Sequence, residues 1–279
     1  MARPRYVEPP LDRAVIAGHH QAWRETGTGA GLPLLLLHGI GSNSRAWAGQ
    51  FAGFGAERRV IAWNAPGYRD SDPLPACWPT PDDYAAAALA LLDHLEIGRC
   101  ILIGQSLGAI MATALALRAP ARIVALALAS PASGYGVGRG DVLPDKVQRR
   151  IDDVRSLGAA GLADRRAMAL LSDAASPEAQ AIVHTAMAEV VPDGYAQAVR
   201  LLATADLIAD VGRLAVPGCV LWGREDMITP PAACRAVADA FPNAYATEIA
   251  SVGHGFATEA PEQFNQAVRP LIEAADARE

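Results

Sequence analysis

The sequence predicts an α/β fold: a mostly parallel, doubly wound sheet with helices on both faces. Short apolar runs alternate with longer amphipathic stretches along most of the 279-residue chain. The apolar runs are bounded by turn signals and are apolar on both faces, as are strands of a parallel sheet that helices cover. One block without strand signals interrupts the alternation before the penultimate predicted strand. The repeated strand–helix order favours the α/β class.

The predicted strands are short. Residues 20–27 alternate between polar and apolar side chains, which indicates an edge strand, and residues 244–251 form the last strand. The remaining apolar runs are predicted to be buried strands, at residues 32–37, 59–63, 100–104, 123–130 and 218–223.

Helix start and stop signals separate these strands. Thr80 and Pro81 supply an N-cap and a first helical residue, and Pro120 ends the helix that begins at Leu107. The predicted helices outside the interrupting block are residues 81–95, 107–120, 231–240 and 261–275.

The interrupting block is predicted to be entirely helical. Its helices are expected at residues 144–156, 159–172, 177–190 and 193–204. We therefore expect a core domain of residues 1–133 and 207–279 and a helical lid of residues 134–206 over an active site. A pure packing role for the block is the alternative.

Composition bounds the classes of function. Hydrophobic residues make up 51% of the chain and charged residues 19%, as in a globular protein. With a net charge of −6 and no basic run, nucleic acid is not an expected partner. Cysteines at positions 77, 100, 219 and 234 lack metal-ligand spacing. No metal or organic cofactor is implied.

The same sequence contains no segment that suggests a membrane or secretory destination. The first residues lack the apolar core of a signal peptide, and the leucine-rich run at residues 32–37 is too short to cross a bilayer. We expect a cytoplasmic protein without a membrane partner. The sequence leaves open whether it is a monomer or a homo-oligomer.

A serine stands at a tight strand-to-helix junction. Gly104, Gln105, Ser106, Leu107 and Gly108 match the pattern G-x-S-x-G, directly after an apolar run and before a helix. This context is that of a nucleophile elbow, in which a sharp turn exposes the serine hydroxyl and small neighbours make room. A tight turn with a capping serine is the alternative.

A serine nucleophile needs a base and an acid that orients the base. His254 lies between two glycines after the last predicted strand, and Asp226 follows the strand at residues 218–223. Glu225 is the alternative acid. The predicted triad is therefore Ser106, Asp226 and His254.

The order nucleophile, acid, histidine, together with the G-x-S-x-G elbow, resembles the α/β-hydrolase family. The resemblance covers nearly the whole chain, residues 134–206 being generic. It implies the α/β-hydrolase fold, with the helical lid inserted before the penultimate strand. Because the nucleophile is a serine, it also implies acyl transfer to water rather than the chemistry of family members with an aspartate nucleophile.

The segment L-L-L-H-G-I-G resembles the oxyanion loop of this family. The resemblance implies that the backbone N–H groups of Ile40 and Leu107 stabilise the oxyanion. His38 is then a structural residue, and Gly39 and Gly41 let the loop approach closely.

A second resemblance bears on the substrate class. Residues 40–50 resemble a segment of the enol-lactonases that act on 3-oxoadipate lactone, which implies a small lactone or carboxylic ester. A C–C bond hydrolase of the meta-cleavage type is an alternative, although the chain lacks the G-G-G-P-G-type loop usual there. A slow-turnover receptor for a small ligand on the same scaffold is another.

Several side chains are candidates for the substrate pocket. Gln105 and Trp47 are predicted to line it, although core packing is an equal alternative for Trp47. Arginines near or within the predicted lid are candidates for binding a substrate carboxylate, with solvated helix faces as the alternative: Arg139, Arg155, Arg165 and Arg166.

Overall fold

A seven-stranded sheet forms the centre of the computed structural model, which describes residues 8–278. Its strands are β1 (Leu11–Ile16), β2 (His19–Leu37), β3 (Arg58–Asn64), β4 (Cys100–Gln105), β5 (Ile123–Ala129), β6 (Gly218–Gly223) and β7 (Ala244–Ile249). The strand order is β1-β2-β4-β5-β6-β7, and β3 pairs with β2. The pairs β2–β4, β4–β5, β5–β6 and β6–β7 are parallel. This sheet confirms the predicted α/β class.

Strand β2 differs from the prediction, because residues 20–27 and 32–37 belong to one 19-residue element. Its first arm, Ala22–Thr26, runs antiparallel to β3. Its second arm, Leu34–Leu37, pairs with Val60–Trp63. The residue numbers increase in the same direction in both segments, so this pairing is parallel. Strand β3 therefore has paired neighbours on both sides, which explains its apolar sequence.

Strand β1 has no counterpart among the predicted strands. It pairs antiparallel with the first arm of β2, at the edge of the sheet. Of its six residues only Ile16 is buried. A strand that exposes most of its side chains lacks the apolar run by which the other strands were predicted.

Helices cover both faces of the sheet. They are α1 (Ala48–Phe54), α2 (Pro81–His94), α3 (Leu107–Arg118), α4 (Asp145–Arg166), α5 (Pro177–Ala188), α6 (Pro192–Thr204), α7 (Leu207–Val211), α8 (Pro231–Ala240), α9 (Phe256–Glu259) and α10 (Pro261–Asp276). Within residues 8–278, none is both long and apolar enough to span a membrane.

The core is divided by the sheet. Leu35 and Leu37 of β2 belong to one apolar cluster, and Leu34 and Leu36 belong to the other. This alternation follows from the two-residue period of a strand. Helices α2 and α3 contribute to the first cluster, and α1 and α10 to the second. Both faces of the central strands are consequently buried.

Helices α4 to α6 lie between β5 and β6 in the chain, where the helical block was predicted, and α7, which was not predicted, lies between this block and β6. Residues 134–206 are called the helical insertion below. Helix α4 is interrupted at Gly158, where φ is 68°, so it corresponds to the two predicted helices 144–156 and 159–172. The second of these ends at Arg166 rather than 172, and a 3₁₀ turn over Met168–Leu170 follows.

Candidate active site

Loops that leave the carboxyl-terminal edge of the sheet carry the predicted site residues. Ser106 follows β4, Asp226 follows β6 and His254 follows β7. Residues 38–41 follow β2, whose second arm lies next to β4. Ligands in open α/β sheets bind outside this edge of the strands. The connectivity of the sheet therefore brings four distant parts of the chain together.

Ser106 has an unusual backbone conformation. Its φ is 54° and its ψ is −114°, which a residue with a side chain adopts rarely. The conformation is fixed because Ser106 N–H donates to Ala129 O over 2.9 Å and Ser106 O accepts from the N–H groups of Ala109 and Ala132. Such a backbone costs on the order of 1–3 kcal/mol and persists only where the surrounding structure enforces it.

The glycines on either side of Ser106 allow the turn to pack. A Cβ added at Gly108 would lie 2.0 Å from the carbonyl oxygen of Leu37, and one at Gly104 would lie 2.3 Å from Gly108 O. Gly39 faces the serine itself, since a Cβ there would lie 3.0 Å from Ser106 Cβ. The loop after β2 therefore packs directly against the serine.

His38 is a buried structural residue of that loop. Its Nδ1 donates to the carbonyl oxygen of Gly39 over 2.9 Å, and its Nε2 accepts from Ala65 N–H over 3.1 Å. Burial lowers the pKa of His38 to about 4, so the ring is neutral near pH 7. The Tyr68 ring lies edge-on to it at 4.7 Å, and Gly41 N–H donates to the Tyr68 hydroxyl over 3.4 Å.

Asp226 and His254 form a buried hydrogen-bonded pair. His254 Nδ1 lies 2.9 Å from Asp226 Oδ2, and Thr229 Oγ1 lies 3.1 Å from the same nitrogen. Asp226 Oδ1 accepts from the backbone N–H groups of Ile228 and Thr229. Burial raises the pKa of Asp226, but the contacts with His254 and Thr229 outweigh it and hold that pKa below its ordinary value. The carboxylate is therefore ionised at neutral pH.

The backbone of the His254 loop is fixed from two sides. Gln105, next to the serine, donates from Nε2 to the carbonyl oxygen of His254 over 2.9 Å. On the other side, Gly255 N–H donates to the carbonyl oxygen of Leu170 in the helical insertion over 2.7 Å. The position of the histidine thus depends on both the elbow and the insertion.

Glu259 of α9 makes a second connection between this loop and the insertion. Its carboxylate accepts from the N–H of Gly253 over 3.0 Å and from the N–H of Ser172 over 3.2 Å. The Ser172 hydroxyl donates to the same carboxylate. One acidic side chain therefore satisfies donors from both segments.

A cavity of about 480 Å³ lies over these residues. Ser106, His254 and Gln105 line it, as do Ile40 and Leu107. Leu107 is the first residue of α3, so its N–H has no acceptor within the helix and lies at the positive end of the helix dipole. Apolar and aromatic residues of the helical insertion also line the cavity, among them Tyr135, Val183, Met187, Tyr195 and Leu202.

The buried cysteines are not alternative nucleophiles. Burial raises the pKa of Cys100, Cys219 and Cys234 to about 12 in each case. Since the thiolate is the reactive form, these thiols are inert near neutral pH.

Comparison with known proteins identifies the family. The α/β hydrolase fold family matches residues 33–261, which is most of the chain. This chain belongs to the α/β hydrolase fold family.

Relatives of this α/β hydrolase are similar over nearly its whole length. The dihydrolipoyllysine-residue acetyltransferase component of the acetoin cleaving system of Pseudomonas putida is 30% identical over 92% of this chain and 68% of its own length. The 3-oxoadipate enol-lactonase 2 of Acinetobacter baylyi is 26% identical over 86% of this chain and 88% of that protein.

A solved structure is similar as well. The enol-lactonase from Burkholderia xenovorans LB400 has a TM-score of 0.85 and 25% identity, covering 94% of this chain and 100% of that one. These comparisons support a hydrolase that acts on ester bonds.

The predicted pocket residue Trp47 requires correction. Its side chain is fully buried and packs edge-on against the Phe264 ring at 5.9 Å, in the core cluster of α1 and α10. Among the residues described, the cavity wall includes its neighbour Ala46 but not Trp47. Trp47 is the last residue of a 3₁₀ turn, where the direction of a side chain cannot be read from the sequence. The alternative of core packing is the right one.

The four candidate arginines divide into two pairs. Arg165 and Arg166 line the cavity of this α/β hydrolase. In the described part of the chain, Arg139 and Arg155 are exposed and outside the cavity wall. Sequence reasoning missed Lys146 and Arg150 of α4, which do line it.

Proposed function

We propose that this protein is a serine hydrolase that cleaves small carboxylic esters or lactones through an acyl-enzyme on Ser106. One arrangement carries the proposal: the strained Ser106 and His254 line the same cavity, and the buried Asp226 is hydrogen-bonded to His254 behind it. A serine hydroxyl is a weak nucleophile at neutral pH and requires an adjacent base, for which His254 is the candidate.

In this mechanism Ser106 Oγ attacks the carbonyl carbon of the ester while His254 Nε2 takes the hydroxyl proton. The carbonyl oxygen becomes an oxyanion, and the backbone N–H groups of Ile40 and Leu107 stabilise it. The carbon–oxygen bond to the leaving group then breaks, and His254 returns the proton to the leaving oxygen. Water, deprotonated by the same nitrogen, attacks the acyl-enzyme and releases the acid. Each oxyanion donor is expected to contribute about 3 kcal/mol to the lowering of the barrier.

Asp226 is the proposed orienting acid rather than Glu225. Its carboxylate accepts from Nδ1 of His254, so Nε2 is left unprotonated and free to act as a base. The neighbouring Glu225 is exposed. The ionised state of Asp226 stabilises the imidazolium that forms during attack.

We infer that the helical insertion, residues 134–206, acts as a lid on a core domain of residues 1–133 and 207–279. Its two ends lie side by side, since Gly134 and Asp206 form an isolated antiparallel bridge and Leu207 N–H donates to Ser133 O over 2.8 Å. Its helices α5 and α6 supply apolar residues to the wall of the cavity that Ser106 also lines. A cavity of about 480 Å³ suits a small ester or lactone.

The test combines covalent labelling with turnover. A fluorophosphonate probe should label the protein with one-to-one stoichiometry, and 4-nitrophenyl acetate should be hydrolysed with multiple turnovers. Ser106→Ala should abolish both, whereas Ser156→Ala, at an exposed serine of α4 outside the cavity wall of the described chain, should retain both. Labelling without sustained turnover would favour a slow receptor. Undiminished hydrolysis by Ser106→Ala would place the nucleophile elsewhere.

A further inference from the structure

The charge of the cavity wall is opposite to that of the whole chain. The protein has a net charge of −6, with 30 acidic residues against 24 lysines and arginines. In the described residues that line the cavity, however, no aspartate or glutamate occurs. The cationic side chains of the wall all come from α4: Lys146, Arg150, Arg165 and Arg166.

Two of these cations already have carboxylate partners. Arg165 Nη1 lies 3.0 Å from Asp153 Oδ1, and Arg166 Nη2 lies 2.6 Å from Asp153 Oδ2. A single carboxylate therefore compensates part of their combined charge. They fix the second half of α4, beyond the break at Gly158, to its first half.

The other two cations have no such compensation. Within residues 8–278, neither Lys146 nor Arg150 forms an ion pair. They are four residues apart in the first half of α4, so their side chains lie on the same face of the helix. Lys146 Nζ lies 4.6 Å from the centre of the Tyr135 ring, another residue of the cavity wall. Arg150 is half-buried.

Uncompensated cations beside an apolar cavity define what the cavity selects. An anionic group of a ligand would meet two positive side chains there and no acidic one. Charge-assisted hydrogen bonds to a carboxylate are stronger than those between neutral groups, and Arg supplies a bidentate fork. A cationic ligand would be repelled. The remaining apolar wall suits the hydrocarbon part of a small ester.

We propose that the preferred substrates are small esters or lactones that carry a second, anionic group, and that Lys146 and Arg150 bind this group. The proposal rests on the proposed hydrolase function and names the substrate class of the same cavity. Lys146 and Arg150 are specificity-determining residues in it, because they bind the second group of the substrate and not the bond that breaks.

The test compares substrates that differ only in charge. Mono-4-nitrophenyl adipate carries a free carboxylate on the acyl side, and in its methyl ester this carboxylate is blocked. Acetoxybenzoate and methyl acetoxybenzoate place it on the leaving-group side. After division by the spontaneous rate, kcat/KM should favour the anionic member of at least one pair by about tenfold or more. The preference should shrink as salt is raised from 20 mM to about 0.5 M, because ions screen the attraction.

Variants that remove the two charges test whether Lys146 and Arg150 cause the preference for anionic substrates. Lys146→Gln/Arg150→Gln should lower the ratio of anionic to neutral kcat/KM by about tenfold or more. Arg149→Gln is the matched control, since this arginine is adjacent to Arg150 in α4 but lies outside the cavity wall of the described chain. The ratio does not depend on the fraction of folded enzyme, so partial unfolding of a variant cannot imitate the result.

Two outcomes would overturn the proposal and leave the hydrolase function standing. One is equal or better turnover of the neutral member in both pairs. The other is a preference that the double variant retains in full.

If no ester is turned over, the hydrolase function fails, and calorimetry with the Ser106→Ala protein decides the binding claim separately. Adipate should then bind more tightly than dimethyl adipate, and the Lys146→Gln/Arg150→Gln changes should remove this difference in affinity. Equal binding of the two compounds to the Ser106→Ala protein would refute the binding claim.

Discussion

His254 Nδ1 and Asp226 Oδ2 are 2.9 Å apart, and both side chains are almost completely buried. The two residues lie on different loops, 28 positions apart in the chain. A buried carboxylate without partners would take up a proton. Here the contacts with His254 and Thr229 keep it ionised, so the negative charge lies where a histidine cation would form.

Replacing Asp226 by asparagine should leave the fold intact and lower kcat by about 10³–10⁴-fold. The amide nitrogen of asparagine would donate to Nδ1, which moves the histidine proton to Nε2 and removes the base. Steady-state hydrolysis of 4-nitrophenyl acetate measures the loss. Glu225→Gln, at the exposed neighbour, is the control and should retain the wild-type rate. The opposite pattern would make Glu225 the orienting acid.

Arg58 and Asp276 should make the stability of the protein depend on acid pH. Burial raises the pKa of Asp276, but the bonds from Arg58, at 2.9 and 3.1 Å, and from Leu32 N–H outweigh it and hold the pKa below its ordinary value. Because the folded pKa is depressed, the stabilisation is complete above the unfolded pKa of about 3.9 and is lost as pH falls through the folded value.

Asp276→Asn should therefore lower the free energy of unfolding at pH 7 by about 1.5–3 kcal/mol, the range for hydrogen bonds to charged groups. Urea unfolding at several pH values measures it. The gap between the wild type and the variant should narrow as pH falls below about 4. A gap of constant size down to the lowest pH at which the protein folds would show that the ion pair does not cause it.

The backbone conformation of Ser106 should lower the stability of the protein. Its φ of 54° favours glycine, whereas alanine keeps the unfavourable conformation. We expect Ser106→Gly to unfold with a free energy about 0.5–2 kcal/mol higher than Ser106→Ala, because relief of strain exceeds the extra entropy of the unfolded chain. Thermal unfolding of the two inactive variants compares them directly. Equal stability would mean that the turn is not strained.

The fold class could be predicted because its signal lies in local sequence. Buried strands such as β4 and β5 are continuous apolar runs, and a proline or capping residue bounds several of the helices. Ser106, Asp226 and His254 each follow a strand directly or within a few residues. Since parallel strands end at one edge, their proximity follows from the connectivity.

Other features could not be predicted, because they depend on packing between distant segments. Whether Trp47 faces the cavity or the core is decided by α10, more than two hundred residues later. Lys146 and Arg150 reach the cavity only because of how α4 packs on α5 and α6. Nothing in the local sequence distinguishes them from Arg149, which lies outside the cavity wall of the described chain. Which side chains of the helical insertion face the cavity can therefore be read only from the structure.

Glu259 should position His254 without touching a reacting atom. It joins the N–H of Gly253, next to the histidine, to the N–H and hydroxyl of Ser172 in the helical insertion. In Glu259→Ala these three donors lose their acceptor, so the histidine loop should become mobile. We expect kcat to fall by about 10–100-fold, since a misplacement of about 1 Å has effects of this size.

Glu259→Gln provides the test that separates positioning from general stability. The amide oxygen can accept from both backbone N–H groups, and the amide nitrogen can donate to the Ser172 hydroxyl, so this variant should recover most of kcat. Glu273→Gln, at an exposed position of α10, is the control and should match the wild type. Fluorophosphonate labelling rates should follow kcat across the series, because labelling also needs the base. If Glu259→Ala slowed turnover but not labelling, the residue would act on the lid rather than on His254.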